Sequence, residues 1–155
     1  KGIVVLDNTG NVSERNSVWL DARYRHTRIK VAPRPRNEVV LAVILALPKG
    51  DPAQLNALAE DHARFRKETQ PTGACSGSTF ANPPGDFAGR LLEAVELKGY
   101  QHGQVQFSAK HSNWIVNTGG GTAAQARELM ALAYERVRDR LGVELRPEVE
   151  QVGEF

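Results

Sequence analysis

Strand-like apolar runs come first along this chain, and helical periodicity follows. Ile3 to Leu6 reads as a strand closed by a turn at Asn8-Thr9-Gly10-Asn11, Arg28 to Ala32 reads as a second strand, and the continuous apolar run Val39 to Leu47 reads as a buried one. Leu47-Pro48-Lys49-Gly50-Asp51-Pro52 is a cluster of breakers and marks a boundary between units. Beyond it the period changes. Asp51 is placed to cap a helix with Pro52 in its first turn, and Leu55, Leu58, Ala59, His62 and Phe65 follow on one face until Gln70-Pro71-Thr72-Gly73 ends it.

The second half mixes both periods. Phe87 to Val95 predicts a short helix, and Val105 to Phe107 and Asn113 to Asn117 predict strands. Thr122 is a cap for a long helix from Ala123 to about Leu141, with Ala126, Leu129, Met130, Ala133 and Val137 as its apolar stripe. Gly142 stops that helix, and Val143 to Leu145 reads as a last strand. The expected class is α+β in two unequal parts.

Composition narrows the function classes. With 41% hydrophobic and 25% charged residues over 155 positions, the chain is an ordinary globular sequence rather than a disordered one. No apolar run approaches the roughly 20 residues that a membrane helix needs, so no membrane role is expected. A net charge of +2 is too small to argue for nucleic acid, although basic residues gather between Arg23 and Arg36. Cys75 is the only cysteine, which excludes an internal disulfide and suits a reducing, cytoplasmic setting. Four scattered histidines give no metal-ligand spacing. The chain opens as if a strand were already under way and without Met, so it is expected to be cut from something longer.

Candidate chemistry concentrates where small and polar residues are too dense for a core: Gly77-Ser78-Thr79-Phe80-Ala81-Asn82-Pro83, then Pro84-Gly85-Asp86 and Gly89-Arg90-Leu91-Leu92-Glu93. Taken singly, these residues have plain readings. Ser78 is a turn former beside glycine, Arg25 a surface cation, Glu148 a rim carboxylate after proline, Asn82 a residue held extended by Pro83, and His111 a hydrogen-bonded histidine beside a strand. Thr118-Gly119-Gly120-Gly121-Thr122 lacks the GxGxxG spacing of a dinucleotide loop and reads as a strand-to-helix turn with a threonine cap.

Together with Tyr24-Arg25-His26-Thr27, Leu97-Lys98-Gly99-Tyr100, Lys110-His111-Ser112-Asn113-Trp114-Ile115-Val116-Asn117 and Arg146-Pro147-Glu148-Val149, the glycine-serine segment resembles the C-terminal part of the UDP-N-acetylenolpyruvoylglucosamine reductases, in their shorter subclass without a tyrosine-bearing lid. The resemblance implies a flavoenzyme of peptidoglycan synthesis that uses NADPH and FAD to reduce UDP-N-acetylglucosamine enolpyruvate. It implies that residues 1–50 end an FAD-binding α+β domain, with an upstream FAD-binding region as the chain's partner, and that residues 51–155 form a small α+β UDP-sugar-binding domain. Ser78 matches the proton donor, Arg25 and Glu148 the other catalytic positions, and Asn82, Lys98 and His111 substrate-contacting positions. Three positions depart from the pattern: Ala81 stands where lysine is common, Thr27 where serine is, and Glu96 where glycine is. The alternative kept beside this reading is an isolated UDP-sugar-binding module without redox activity.

Overall fold

The computed structural model describes residues 2–31 and 37–153 and divides into two compact units, Lys1–Pro52 and Ala53–Phe155. Both mix helix and strand, so the chain is α+β.

In the first unit, β1 (Gly2–Asp7) pairs antiparallel with β2 (Val12–Asn16), and two single-turn helices follow, α1 (Ser17–Leu20) and α2 (Arg28–Val31). The strand β3 (Glu38–Ile44) adds to the other edge of β1 to give the order β2-β1-β3, with a register shift between Val4 and Val5. The β1–β2 turn is written in Asp7, whose Oδ1 accepts from the N–H groups of Thr9 and Asn11 at 2.9 and 3.0 Å while Gly10 supplies φ +86°. Alternation along β1 buries Ile3 and Val5.

Two expectations fail in this unit. Arg28–Val31 is helical, because Thr27 acts as a local cap: its Oγ1 accepts from Lys30 N–H at 3.0 Å and its carbonyl from Val31 N–H at 3.2 Å. Ala32, the last residue of the expected strand, lies outside the described residues. The run Val39 to Leu47 is a strand only to Ile44, and it is not buried: β3 is an edge strand, and Val43 is 62% exposed.

α3 (Pro52–Thr69) opens at the breaker cluster, as the sequence predicts. Its apolar face is uncovered among the described residues, with Leu55, Leu58 and Phe65 all exposed. Next come β4 (Cys75–Ser78), β5 (Phe80–Ala81), α4 (Ala88–Ala94), β6 (Gln101–His102), β7 (Val105–Phe107), β8 (Trp114–Asn117), α5 (Ala123–Leu141) and β9 (Arg146–Pro147). Strands β4-β8-β7-β6 make an antiparallel sheet, and β5 and β9 make a separate two-stranded ladder.

The second unit's core is assembled from Phe80, the inner faces of α4 and α5, and β7, with Leu91, Leu92, Phe107, Leu129 and Val137 all inaccessible to solvent or nearly so. Truncating such a side chain to alanine typically costs about 2–5 kcal/mol. The ends of α5 are locally specified. Thr122 and Gln125 form a reciprocal capping box, and Gly142, at φ +68°, closes the last turn onto Arg138. The expected strand at Val143 to Leu145 is displaced: Leu145 is committed to the core, and the pairing starts one residue later, at Arg146 and Pro147. Pro147 is tolerated because it faces Phe80, whose own N–H and C=O bond in another direction, to Asn113.

Candidate functional site

Ser78 owes its placement to a bulge. Cys75 pairs with Val116 and Ser78 with Trp114, so β4 carries one residue more than β8 between the two pairs, and Gly77 absorbs the mismatch at φ +84°. A bulge turns the following side chain out of the ordinary alternation, and Ser78 emerges on an open pocket of about 620 Å³ shared with Asn82, Arg90, Glu93, Lys110 and His111. Thus three residues singled out from the sequence, Ser78, Asn82 and His111, line one cavity.

The walls are held by polar contacts. Asn82 Oδ1 accepts from Ala88 N–H at 3.1 Å, tying the Asn-Pro step to the first turn of α4. From that helix Arg90 grips Asp86 with two donors, Nε to Oδ1 at 2.7 Å and Nη2 to Oδ2. The guanidinium, helped by Phe87 N–H, holds the Asp86 carboxyl down at about 2, against an ordinary 3.8. Glu93 Oε1 accepts from Ser112 Oγ at 2.7 Å and from Lys98 Nζ at 3.0 Å. Ser112 first, then Lys98, lower the Glu93 carboxyl below its ordinary value. Lys98 is therefore fastened to the pocket wall through Glu93. Lys110 Nζ donates to the Lys67 carbonyl and joins the end of α3 to the rim. His111 Nδ1 accepts from Asn113 N–H at 3.3 Å, which assigns the ring proton to Nε2 in that geometry.

Glu148 approaches by another route. Its backbone N–H donates to the Thr79 carbonyl at 2.8 Å, which sets it beside the residue following Ser78. Arg25 belongs to the other unit, at the tip of a tight turn in which Arg23 and His26 exchange backbone bonds at 3.0 and 3.1 Å. It has φ +53°, a left-handed conformation uncommon outside glycine, and its guanidinium lies 5.2 Å from the Tyr24 ring centre.

Sequence reasoning missed the supporting cast. Asp86 and Arg90 stand at i and i+4, a visible signal. The convergence of Ser112 and Lys98 on Glu93, and the role of Asn113, had no local signature. A separate cavity of about 480 Å³ lies between the start of α5 and Val149–Val152, and none of Arg25, Ser78, Asn82, Lys98, His111 and Glu148 lines it. No three His, Cys, Asp or Glu side chains converge as a metal site among the described residues, and no described helix is long and apolar enough to cross a membrane.

The fold and the pocket define a class: a small α+β domain that presents a bulge-borne serine to an open polar cavity flanked by cations. Residues 69–152 match the family described as UDP-N-acetylenolpyruvoylglucosamine reductase, C-terminal domain. Proteins named UDP-N-acetylenolpyruvoylglucosamine reductase from Rubrobacter xylanophilus and Myxococcus xanthus are 50% and 44% identical over 75% and 85% of this chain. The crystal structure of the reductase of that name from Thermus caldophilus superposes with a TM-score of 0.79 at 30% identity over 96% of this chain. This chain belongs to the UDP-N-acetylenolpyruvoylglucosamine reductase family. It spans 39% and 41% of the lengths of the two relatives and 51% of the Thermus chain.

Proposed function

We propose that this chain supplies the substrate domain and the proton donor for reduction of UDP-N-acetylglucosamine enolpyruvate to UDP-N-acetylmuramate, a step of peptidoglycan synthesis. The observation that carries the reading is the placement of Ser78, on a bulged strand, in one pocket with Asn82 and His111. Residues 51–155 are the UDP-sugar domain in this reading, and residues 1–50 are the end of a flavin-binding domain.

The glycine-rich turn Thr118–Thr122 does not fit a flavin diphosphate. Four of its five N–H groups are used internally: Gly119 and Gly121 donate to Asn117 Oδ1 at 3.0 Å each, Thr118 to Gln104 O at 2.9 Å, and Thr122 to Gln125 Oε1 at 3.2 Å. The flavin cradle is therefore assigned to an upstream FAD-binding region of the whole reductase. FAD held there and reduced by NADPH would supply a hydride for C3 of the enolpyruvyl ether.

The residues of this chain handle the charge and the proton. Hydride arrival at C3 leaves an electron pair at C2, delocalised into the substrate carboxylate. Ser78 Oγ–H delivers the proton to C2 and recovers one from solvent. A serine hydroxyl is a weak acid, so the intermediate must live long enough to be protonated. Arg25, a permanent cation, offsets the charge on the carboxylate and enolate, and Glu148 acts on the same intermediate as an acid or through water. Asn82 contacts the substrate as a donor to a diphosphate oxygen, and Lys98 and His111 lie near its nucleotide end.

The deciding experiment separates two half-reactions in the flavin-loaded reductase. Ser78→Ala should slow reoxidation of reduced flavin by substrate by about 10²–10⁴-fold while flavin reduction by NADPH stays within about two-fold. Equal losses in both halves would remove Ser78 from this role. The internal bonding of the Thr118–Thr122 turn also favours a second reading, a UDP-sugar-binding module without redox activity. Substrate-dependent NADPH oxidation by the flavin-loaded reductase distinguishes the two, because a folded protein that binds substrate without oxidising NADPH is the module.

A further inference from the structure

We infer that Asn113 is the positioning residue for Ser78, acting as a substitute strand that fixes the backbone from which Ser78 reaches the pocket. The inference rests on the proton-donor reading of Ser78. The regular ladder between β4 and β8 ends at the pair Ser78 and Trp114, and beyond it the chain leaves to pair with β9. Phe80 is 1% exposed there, so its backbone N–H and C=O must find partners or remain costly orphans. Asn113, itself 3% exposed, supplies both: Phe80 N–H donates to Asn113 Oδ1 at 2.9 Å, and Asn113 Nδ2 donates to the Phe80 carbonyl at 2.8 Å. Its backbone carbonyl accepts from Thr79 N–H at 2.7 Å.

Ser78 thus lies between a glycine-dependent bulge on one side and a three-bond clamp on the other. A carboxamide is the only side chain of this length that accepts and donates in one plane at neutral charge. Asn113 borders the pocket, yet both ends of its amide are directed at Phe80, so its part is to hold Ser78 rather than to touch substrate. A misplacement of about 1 Å at a reacting group costs about 10²-fold in rate, which sets the size of the expected effect.

The test uses the flavin-loaded reductase with Asn113→Asp, which keeps the bond from Phe80 N–H and loses the one to Phe80 C=O, and Asn113→Leu, which loses both at similar shape. Thermal unfolding establishes that each is folded. Asn113→Asp should slow substrate-dependent flavin reoxidation about 10–100-fold, with NADPH-dependent reduction and substrate Kd each within about two-fold. Adding Asn113→Asp to Ser78→Ala should cost no more than about two-fold further, because the clamp acts only through Ser78. A folded Asn113→Asp with native reoxidation, or losses that multiply in the double variant, overturns the inference. If Ser78→Ala alone leaves reoxidation unchanged, the proton-donor reading has failed, and the clamp is decided separately by amide exchange. Exchange at Phe80 in Asn113→Leu should accelerate about ten-fold or more if the carboxamide holds the strand, and unchanged protection overturns it.

Discussion

Glu148 and Thr79, far apart in sequence, are joined by a 2.8 Å bond from the Glu148 backbone N–H to the Thr79 carbonyl. The bond belongs to the backbone, so the tether and the carboxylate can be separated by mutation. Glu148→Gln should leave unfolding within about 0.5 kcal/mol of the native value while slowing substrate-dependent reoxidation. Glu148→Pro removes the donor, orphans the Thr79 carbonyl and should cost about 1–3 kcal/mol. Urea unfolding monitored by circular dichroism, beside single-turnover kinetics, checks both. An equal stability loss in the two variants would assign the carboxylate a structural part.

Glu96 stands where the family commonly has glycine, and its backbone shows why. α4 ends in a Schellman motif: Leu97 N–H bonds Leu92 O at 2.9 Å, Glu96 N–H bonds Glu93 O at 3.0 Å, and Glu96 takes φ +60°. The compensating contact from Arg140, 3.4 Å from Glu96 Oε2, is long and exposed. Glu96→Gly should raise stability by about 0.5–1 kcal/mol with an unchanged denaturant slope. An unchanged or lower midpoint would mean that the Arg140 contact outweighs the strain.

The Asp86–Arg90 pair should leave a mark on acid stability. The folded-state carboxyl is depressed to about 2 from 3.8, so its contribution is present in full above 3.8 and is lost as the pH falls to about 2. Asp86→Asn should therefore be less stable than the native chain at neutral pH, and the gap in urea midpoints should close as the pH is lowered through that window. A gap independent of pH would show that the ionised Asp86 carboxylate does not contribute to stability through Arg90 and Phe87 N–H.

Arg25 combines a strained backbone with a catalytic assignment. Arg25→Gly suits the left-handed φ and should leave thermal stability within about 1 kcal/mol of the native value while sharply slowing substrate-dependent reoxidation. A stable variant with native turnover would return Arg25 to the surface.

How much of this was legible in the sequence depends on how locally each feature is encoded. Thr122, Gln125 and Gly142 set the limits of α5 within a few residues of its ends, and the stripe of Leu129, Met130, Ala133 and Val137 faces the core as its period predicts. Arg28–Val31 alternates like a strand, but the Thr27 cap competes locally and wins. The last strand was displaced because Leu145 answers to the core while pairing with Phe80 and Ala81 falls on Arg146 and Pro147. The resemblance singled out the candidate positions, and the structure brings three of them, Ser78, Asn82 and His111, to one pocket. Their supports were not legible, because the bonds from Asn113 to Phe80 and from Ser112 to Glu93 join residues that only the fold brings together.

The bulged strand that carries Ser78 also has a place in time. β6, β7 and β8 are consecutive and pair as neighbours, and α5 follows with its ends already specified, so that half of the sheet closes through short loops. β4 must return to β8 from across the whole of α4 and that meander. Long closures are slow to form and early to open, so the serine strand is expected to join last during folding and to leave first under native fluctuation. Pulse-labelled amide exchange should find Phe107 and Val116 protected before Thr79 and Phe80, which would make the strand that carries Ser78 the final thing the folding of this domain completes.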